Sequence, residues 1–449
     1  MTFDSLKHLY FLGIGGIGMS ALARLFNAHG IKVSGYDRTE TELTKKLVAE
    51  GIDIHYTDSP ELLPAELDLV VLTPAIPADH KEWAALKARG ANIMKRSQVL
   101  GLISKNKTCL AVAGTHGKTT TSTILAHLLR SSGIDCNAIL GGIAVNYGGN
   151  CLEGSSDLFV TEADEYDRSF LQLYPHAAII TATDADHLDI YGDVETMREA
   201  YAQFASQVHG KGLLVYKAGI ELKNAHPNAQ TYGVEKGDHQ AQNIQVKDGF
   251  FYFDYHSANH HFTDLQIAMA GRHNIENATA AIAVAMAYGA TEAGIREGLK
   301  SFKGIKRRFE VVYRSDKHTL IDDYAHHPEE VHAAVTAARE LFPNKRIAAI
   351  FQPHLYTRTR DFYQGFAKEL NLLDQVFLVE VYPARELPIE GITSDIIFNL
   401  LTNRKTLTTR KTYIEQLDPT SFDVFLTIGA ADIEKDLPKI IERLKGGPK

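Results

Sequence analysis

Ala111-Val112-Ala113-Gly114-Thr115-His116-Gly117-Lys118-Thr119-Thr120 is the strongest structural signal in this sequence. The apolar run that ends at Ala113 predicts a short buried strand, and apolar residues at helical spacing predict a helix over 119–133. A strand, a glycine turn, a Lys-Thr pair and a helix, in this order, are typical of a nucleoside-triphosphate site. Glycines let backbone N–H groups approach the phosphates, and the start of the helix adds positive potential.

This loop departs from the standard phosphate-binding motif, because Val112 stands where the first glycine belongs. The remaining pattern, G-T-H-G-K-T, is a shorter variant in which the lysine would reach the β and γ oxygens and a threonine hydroxyl would ligate Mg²⁺. A tight turn with a solvated lysine is the structural alternative. The position of the loop between a strand and a helix favours the nucleotide site.

Length and composition limit the class of protein. A chain of 449 residues is too long for one core and predicts about three domains. The formal net charge of −8 argues against a nucleic-acid partner. The sequence has neither a secretory signal nor an apolar run of roughly 20 residues, so we expect no membrane association. Three cysteines without CxxC spacing (Cys109, Cys136 and Cys151) indicate a reducing compartment, and we expect a cytoplasmic protein.

Residues 1–105 form the first predicted domain. The strand Leu9–Leu12 leads into G-x-G-x-x-G at residues 13–18, and a second strand ends at Asp37. This pattern is typical of folds that hold a diphosphate at the start of a helix. The glycines could instead only close a tight turn, and the pattern does not separate NAD from a UDP-sugar.

Residues 106–311 form the second predicted domain, in which carboxylates follow two apolar strands. Glu162 comes directly after one strand, and the run Asp184-Ala-Asp186-His187-Leu-Asp189 follows the next. Parallel sheets bind ligands at the carboxyl ends of their strands, and oxygen ligands near phosphates suit Mg²⁺. Asp167 and Asp189 fit solvated loop acids better.

The rest of this domain gives weaker signals. Residues 211–265 look rich in β-strand and suggest no chemistry. Asn274 and Asn277 lie three residues apart at the start of an alanine-rich helix, where their amides suit adenine or substrate recognition, although Asn274 could simply cap the helix. The cationic cluster 303–308 marks the boundary and could hold a transferring phosphate.

Residues 312–449 form a third predicted α/β domain. Polar clusters follow three of its strands, at 322–328, 352–360 and 380–386, and we expect them at one ligand-facing edge. His326 and His327 lack the further histidine or cysteine that a structural zinc site requires.

Taken in order along essentially the whole chain, the motifs resemble the Mur ligase family. They are GIGGIGMS (13–20), GTHGKTT (114–120), EADEYD (162–167), DHLD (186–189), GRHNIEN (271–277), RRF (307–309), DDYAHHP (322–328) and QPHLYTRTR (352–360). The resemblance implies a three-domain α/β fold: a Rossmann-like N-terminal domain, a central P-loop ATPase-type domain with a β-rich excursion, and a Rossmann-like C-terminal domain.

The resemblance also implies an activity. It points to an ATP-dependent ligase of peptidoglycan precursor synthesis that uses Mg²⁺. This ligase would join L-alanine to the lactyl carboxylate of UDP-N-acetylmuramate through an acyl phosphate, giving ADP and phosphate. We expect a monomer or weak homodimer whose only partners are these small molecules. The alternative within the family is a recycling ligase that attaches a murein tripeptide to the same sugar nucleotide.

The resemblance assigns a role to each matching residue. The ATP site would comprise Gly114, Thr115, His116, Gly117, Lys118, Thr119, Thr120, Asn274, Asn277, Arg308 and Asp323. Magnesium would be held by Thr119, Glu162 and His187, and the UDP end by Gly13, Gly15, Gly16, Gly18 and Asp37. Alanine and the acyl phosphate would meet Tyr324, His326, His354 and Arg358. The catalytic groups would be Lys118, His187, His326 and Arg358.

The sequence departs from the family pattern at several positions. Leu355 stands where some members have an arginine, Ala431 where a glycine is common, and Tyr36 where a small residue is usual. Residues 201–208 contain no lysine, so we expect no carbamylated lysine of the kind reported for sister ligases.

Two readings from other classes compete with the ligase. An NAD-dependent dehydrogenase would explain residues 13–37 but would leave the Lys118 loop without a use. In a non-catalytic nucleotide-binding module, the polar clusters at the strand ends would be surface decoration.

Overall fold

The computed structural model describes residues 6–185, 188–223, 226–384 and 386–446. It is an α/β fold built on three sheets, each with helices against it, and the predicted fold class is confirmed.

The first sheet has five parallel strands in the order β3-β2-β1-β4-β5. Its strands are β1 His8–Leu12, β2 Lys32–Tyr36, β3 Asp53–His55, β4 Leu69–Leu72 and β5 Ile93–Lys95. Its helices are α1 Ile17–Ala28, α2 Glu42–Ala49, α3 Lys81–Ala88 and α4 Arg96–Asn106. Strand β1 lies in the middle, so its carboxyl end carries the glycine loop at the centre of the sheet edge.

The second sheet has ten strands in the order β15-β14-β13-β12-β11-β10-β6-β9-β7-β8. Its strands are β6 Thr108–Ala113, β7 Asn137–Ala144, β8 Gly149–Leu152, β9 Leu158–Ala163, β10 Ala177–Ile180, β11 Leu213–Lys217, β12 Ala229–Val234, β13 His239–Lys247, β14 Phe250–His256 and β15 His261–Ile267. The helices are α5 Lys118–Ser131, α6 Leu188–Tyr191, α7 Val194–Ser206, α8 Arg272–Ala287 and α9 Glu292–Ser301. The stretch predicted as a β-rich excursion therefore continues the central sheet.

The third sheet has six strands in the order β16-β17-β21-β18-β19-β20. Its strands are β16 Glu310–Arg314, β17 Thr319–Asp323, β18 Ile347–Phe351, β19 Gln375–Leu378, β20 Arg404–Leu407 and β21 Val424–Ile428. The helices are α10 Pro328–Leu341, α11 Tyr356–Leu370, α12 Asp395–Phe398, α13 Tyr413–Gln416 and α14 Leu437–Leu444. Only β16 runs antiparallel to its neighbour among the pairings described for this sheet.

The chain forms two compact units. The first contains the chain up to Gln242, Asp254–Thr263 and Glu276–Ser301, and the second contains Asn243–Phe253, Asp264–Ile275 and the chain from Phe302 on. The predicted boundaries at 105/106 and 311/312 stay predictions.

One hydrophobic core runs through both sheets of the first unit. It joins Leu22 and Leu25 of α1 to Ile139, Phe159 and other residues of the central sheet. A buried polar contact reinforces this core, because the Arg24 guanidinium donates to Asn150 of β8, whose amide donates in turn to the Ile17 carbonyl at 2.6 Å. The exposed fraction is 7% for Arg24 and 0% for Asn150, so the contact is closed to water.

Candidate active site

The loop after β6 has a conformation that only glycine adopts without strain. Gly114 has a φ of 134° and Gly117 a φ of 81°. A Cβ on Gly114 would collide with the Thr181 hydroxyl, which donates to the Ala113 carbonyl at 3.1 Å and also contacts the His116 carbonyl. The segment after β10 therefore fixes the shape of the loop.

The Thr115 hydroxyl is buried in this loop, and no other described residue offers it a hydrogen bond. Gly117 is the N-cap of α5 and supplies no capping side chain. A buried hydroxyl without a partner and an uncapped helix start suit an anion with several oxygens, such as a phosphate group.

Lys118 folds back across the loop. Its ammonium donates to the Gly114 carbonyl at 2.6 Å and to both carboxylate oxygens of Glu165, at 2.8 and 2.9 Å. Burial opposes the charge, but Glu165 and the neighbouring Asp164 outweigh burial and raise the pKa of Lys118. The side chain therefore stays charged, and its ammonium is held between the Gly114 carbonyl and Glu165.

Thr119 and Glu162 meet beside this lysine. The Thr119 hydroxyl donates to Glu162 at 3.2 Å, and the backbone N–H of Gly141 in β7 donates to the other carboxylate oxygen. Burial raises the pKa of Glu162, although Gly141 and Lys118 oppose the shift. A hydroxyl and a carboxylate are hard oxygen donors, so the two side chains fit Mg²⁺. The third predicted ligand, His187, lies outside the described residues, as does the adjacent Asp186.

The asparagines on α8 have different surroundings. A Cβ on Gly117 would lie 2.7 Å from the amide oxygen of Asn277, so the Asn277 side chain lies against the glycine loop that follows β6. The amide of Asn274 donates to the Ala270 carbonyl at 2.6 Å and is 2% exposed. Its described bond is local to the start of the helix, but the amide donates to a carbonyl, so this bond is not the cap in which a side-chain oxygen accepts a backbone N–H.

The glycine loop that follows β1 is bonded by a carboxylate, whereas the loop that follows β6 is bonded by the ammonium of Lys118. Gly13 has a φ of 86°, and the N–H of Gly15 donates to Asp37 at 2.8 Å. Gly16 caps α1 without a side-chain hydrogen bond, and Gly18 lies in the first turn of the helix. Asp37 thus organises the loop and leaves the first turn of α1 without a side-chain cap.

Arg96, at the start of α4, brings a cation to this loop. A Cβ on Gly18 would lie 3.1 Å from the Arg96 guanidinium, which is paired with Asp164 at 3.4 Å. Asp167, expected to be a solvated acid, is exposed and pairs with Lys95 at 3.3 Å. Acids after β9 therefore contact the segment that leads out of the first sheet.

Tyr36 fills the position where a small residue was expected. The ring is 6% exposed and packs edge-on against His80, with 4.6 Å between centroids. Burial raises the pKa of Tyr36. Tyr36 is therefore a core residue, and the adjacent Asp37 carries the polar function.

In the second unit, Arg307 and Arg308 have separate roles. Arg307 donates to the buried Asp322 at 3.1 Å and to the carbonyl oxygens of Gly429 and Ala431. Arg308 has a looser contact, 3.7 Å from Glu330, and its side chain is 33% exposed. Arg307 is thus structural, whereas Arg308 contacts only Glu330 and the Tyr324 ring among its described interactions, and its phosphate role stays a prediction.

Asp323 ends β17 with both oxygens engaged by the backbone. It accepts hydrogen bonds from the N–H groups of Phe309 at 2.8 Å and Ala325 at 2.7 Å. Burial raises the pKa of Asp323 to about 7, although Arg308 and these N–H groups oppose the shift.

The four residues predicted to handle the amino acid lie together. Tyr324 and His326 have ring centroids 5.3 Å apart, and His326 and His354 are 6.3 Å apart. The Arg358 guanidinium donates to Nδ1 of His354 at 3.4 Å. Burial, followed by Arg358, lowers the pKa of His354 to about 4.

The two histidines have opposite hydrogen-bonding directions. Nδ1 of His326 lies 3.0 Å from the Tyr324 carbonyl, so the proton sits on Nδ1 and the Nε2 lone pair can accept one. Burial lowers the pKa of His326, which keeps the ring neutral. His354 accepts at Nδ1 and therefore carries its proton on Nε2.

The remaining departures have a structural account. Leu355 caps α11 at a φ of 71°, a conformation unusual for leucine. Ala431 has a φ of −90°, which needs no glycine. Residues 201–208 lie along and just beyond α7, where Tyr201 and Phe204 pack on Phe170, and none of them is a lysine.

Several residues of these clusters were not singled out by the sequence analysis. They are Glu165, Thr181, Arg96, Arg307, Glu330 and Glu386, the last of which accepts hydrogen bonds from the start of α11 at Thr357. Glu165 lies within the acidic run 162–167, and Arg307 lies within the cationic cluster 303–308. The sequence therefore indicated both clusters, but it could not show which residue in each cluster makes the contact. Nothing in the sequence around Arg96 indicates its contact with Gly18.

These features define an α/β enzyme with two phosphate-type glycine loops and a cluster of histidine and arginine. Models of the Mur ligase family match most of the chain: the catalytic domain at residues 8–108, the middle domain at 112–285 and the glutamate ligase domain at 307–431. The chain belongs to the Mur ligase family.

Three individual proteins are similar to this chain over nearly its full length. The UDP-N-acetylmuramate–L-alanine ligase of Phocaeicola vulgatus is 47% identical over 452 residues, with 98% of each chain covered. The crystal structure of the UDP-N-acetylmuramate–alanine ligase of Thermotoga maritima has a TM-score of 0.85 at 31% identity, covering 98% of this chain and 99% of that one. A murein peptide ligase of Psychrobacter arcticus has a TM-score of 0.70 at 22% identity, covering 99% and 100%, and shares the fold.

Proposed function

We propose that this chain is an ATP-dependent ligase that joins L-alanine to the lactyl carboxylate of UDP-N-acetylmuramate through an acyl phosphate. The relatives that bear this activity match nearly the full length of the chain at 44–47% identity. The observation that carries the chemistry is Lys118, a charged ammonium held across a glycine loop between the Gly114 carbonyl and Glu165.

The first step transfers a phosphoryl group. The lactyl carboxylate is a poor electrophile, so one of its oxygens attacks the γ-phosphorus of ATP and ADP leaves. Lys118 and the N–H groups of the loop neutralise charge on the moving phosphoryl group, and the role of Arg308 at the phosphates stays a prediction. Asn277, beside Gly117, is suited to hold the nucleotide, and we retain the roles of Asn274 at adenine and Asp323 at ribose as predictions.

Thr119 and Glu162 would hold Mg²⁺, together with His187. The ion would polarise the phosphate oxygens and offset their charge. The N–H of Gly141 fixes the orientation of Glu162, so the carboxylate is in place before a ligand arrives.

The sugar nucleotide would bind at the first glycine loop. Gly13, Gly15, Gly16 and Gly18 leave room for the diphosphate at the uncapped start of α1, and Asp37, which accepts from the Gly15 N–H, keeps its predicted role at the UDP end. Arg96 adds the positive charge that this loop otherwise lacks.

The second step forms the amide bond. The alanine amine attacks the acyl carbon, its proton must go to a base, and inorganic phosphate leaves. The neutral His326, with its free lone pair on Nε2, suits the base, and Arg358 suits the alanine carboxylate or the acyl phosphate. His354, with a proton on Nε2, can donate to a substrate oxygen.

The cellular setting completes the proposal. No helix among the described residues is both long and apolar enough to cross a membrane. We propose a cytoplasmic enzyme, a monomer or weak homodimer, that acts on small molecules alone.

Phosphate release with UDP-N-acetylmuramate, ATP and Mg²⁺ tests the proposal. L-alanine, L-serine, glycine and the murein tripeptide serve as acceptors in parallel. We expect turnover with L-alanine. Turnover with the tripeptide alone would identify the recycling ligase, and no turnover with any acceptor would contradict a ligase.

Arg358→Met tests the placement of alanine. Because Arg358 would bind a carboxylate or phosphate oxygen, we expect kcat/KM for alanine to fall about 100-fold with the KM for ATP unchanged. The matched control is Arg360→Met, since Arg360 lies on the same helix, is exposed and pairs with Asp361. A change in the ATP KM alone would place Arg358 at the nucleotide instead.

A further inference from the structure

The hairpin formed by β14 and β15 presents two different faces. The turn closes through the N–H of Ser257, which donates to the His260 carbonyl at 2.8 Å. Tyr255 and Phe262 point into the core, at 0% and 4% exposure, whereas Asp254, His256 and His261 lie on the opposite, more accessible face. Alternation along each strand therefore separates a packed face from one that carries titratable groups.

The register brings these groups together. With Ser257 paired to His260, His256 lies directly across from His261, and their ring centroids are 3.8 Å apart. Asp254 lies two residues before His256 and so shares its face. One ring nitrogen from each histidine and one carboxylate oxygen lie within 4.8 Å of one another.

We propose that this cluster is a binding site for one divalent transition-metal ion, with Zn²⁺ as the reference ion. Two imidazoles and a carboxylate are the donor set that zinc, nickel and copper take up, with the remaining position left to water. Nε2 of His256 is buried, and no described residue offers it a hydrogen bond, so a ligand atom is available. None of the three residues belongs to the ligase site, whose oxygen donors suit Mg²⁺.

The geometry needs only a small adjustment. Ligand atoms about 2.1 Å from a tetrahedral ion lie about 3.4 Å apart. The ligand atoms would therefore move together by at most about 1.4 Å, the difference between the 4.8 Å limit and 3.4 Å, which side-chain rotation permits.

Neighbouring histidines provide the contrast. His239 is already engaged at both ring nitrogens, with Tyr255 at 2.6 Å and Gln230 at 2.7 Å. His260 lies on the turn, exposed, with its ring 5.8 Å from that of Phe262. His260 is therefore a matched control: same residue type, same hairpin, outside the cluster.

The test is a Zn²⁺ titration of the full-length protein after removal of metal, followed by calorimetry at about pH 7.5, where imidazole is mostly neutral. We expect one ion bound with micromolar affinity. His256→Ala and His261→Ala should each weaken binding at least about tenfold, Asp254→Asn should weaken it less, and His260→Ala should leave it within about twofold.

Two results would overturn the site. One is wild-type protein that binds no stoichiometric Zn²⁺ at micromolar concentrations. The other is an affinity that stays the same in both His256→Ala and His261→Ala, which would assign the ion to other residues. Unchanged ligase activity of the variants with Mg²⁺ verifies that they are folded and separates this site from the proposed reaction.

Discussion

Two glycine loops of the first compact unit follow the same order of elements and differ in charge. Each leaves the end of a buried parallel strand through a glycine with positive φ, 86° at Gly13 and 134° at Gly114, and leads into a helix without a side-chain cap. In the first loop a carboxylate, Asp37, accepts from Gly15. In the second, the ammonium of Lys118 bridges Gly114 and Glu165.

The difference in charge suits the first loop to binding a phosphate group and the second loop to transferring one. The first loop offers backbone N–H groups and Arg96, which suffices to bind a diphosphate that does not react. The second offers a cation beside a hydroxyl and a carboxylate, which is what a phosphoryl group needs as its charge redistributes. Element order alone is thus a weak guide to chemistry, and the side chains that close each loop decide it.

Removal of the cation from the second loop should give the largest effect. We expect Lys118→Met to lower kcat by about 10³-fold or more, because charge on the transferring phosphoryl group is no longer offset. The measurement is phosphate release at saturating substrates. Lys107→Met is the matched control. Lys107 immediately precedes β6, the strand that leads into this loop, and its ammonium lies 2.7 Å from the carboxylate of Asp157.

Loss of this lysine also affects folding. Glu165 is 1% exposed and would lose a cation, at a cost of about 3–5 kcal/mol. The double variant Lys118→Met, Glu165→Gln should recover thermal stability without recovering turnover. Turnover near wild type in either variant would remove Lys118 from the mechanism.

Neutralising Glu162 should act on the metal. Glu162→Gln keeps an acceptor oxygen for the Gly141 N–H, and its amide NH₂ can donate to the Thr119 hydroxyl, but the charge is lost, so the Mg²⁺ concentration for half-maximal rate should rise about tenfold or more. The exposed Glu153 provides the control, as Glu153→Gln. An unchanged Mg²⁺ titration would argue against Glu162 as a ligand.

Arg96 tests whether the first loop depends on a cation. Arg96→Met should raise the KM for UDP-N-acetylmuramate about tenfold, the effect of one charge-assisted hydrogen bond, and leave the KM for ATP unchanged. Arg89→Met, at an exposed position shortly before it, is the control. Equal changes in both KM values would mean that Arg96 acts through Asp164 on the second loop.

Asp37→Asn should give the smallest effect. The amide oxygen can still accept from Gly15, so we expect the KM for the sugar nucleotide to rise by no more than about fivefold. Glu40→Gln, nearby and exposed, is the control. A loss of 100-fold or more would mean that the carboxylate contacts the substrate itself.

Much of the fold could be predicted from local pattern. The helix predicted over 119–133 is present as α5 Lys118–Ser131, and the strands predicted before Gly13, Gly114 and Glu162 are present. The hairpin of β7 and β8 was missed because Gly141-Gly142 interrupts the apolar alternation of β7. Strand β16 and helix α4 were missed as well, and their places depend on tertiary contacts that spacing does not reveal.

The candidate site could be predicted in outline only. Tyr324, His326, His354 and Arg358 lie together as expected, because strand ends of a parallel sheet meet at one edge. The partner of Lys118 could not be chosen, since Glu162, Asp164 and Glu165 are chemically alike. Glu162 faces Gly141 while still in β9, and Glu165 turns toward the lysine after the strand has ended.

The buried contact between Arg24 and Asn150 limits how this enzyme can be dissected. A fragment that ended near residue 105 would keep Arg24 and its ion pair with Glu50 but lose Asn150, and with it the hydrogen bond that ties α1 to the central sheet. It would also expose the apolar side of α1 that packs on the central sheet. Binding studies of the sugar nucleotide therefore call for the intact first two sheets, and an isolated N-terminal fragment would aggregate rather than report affinity.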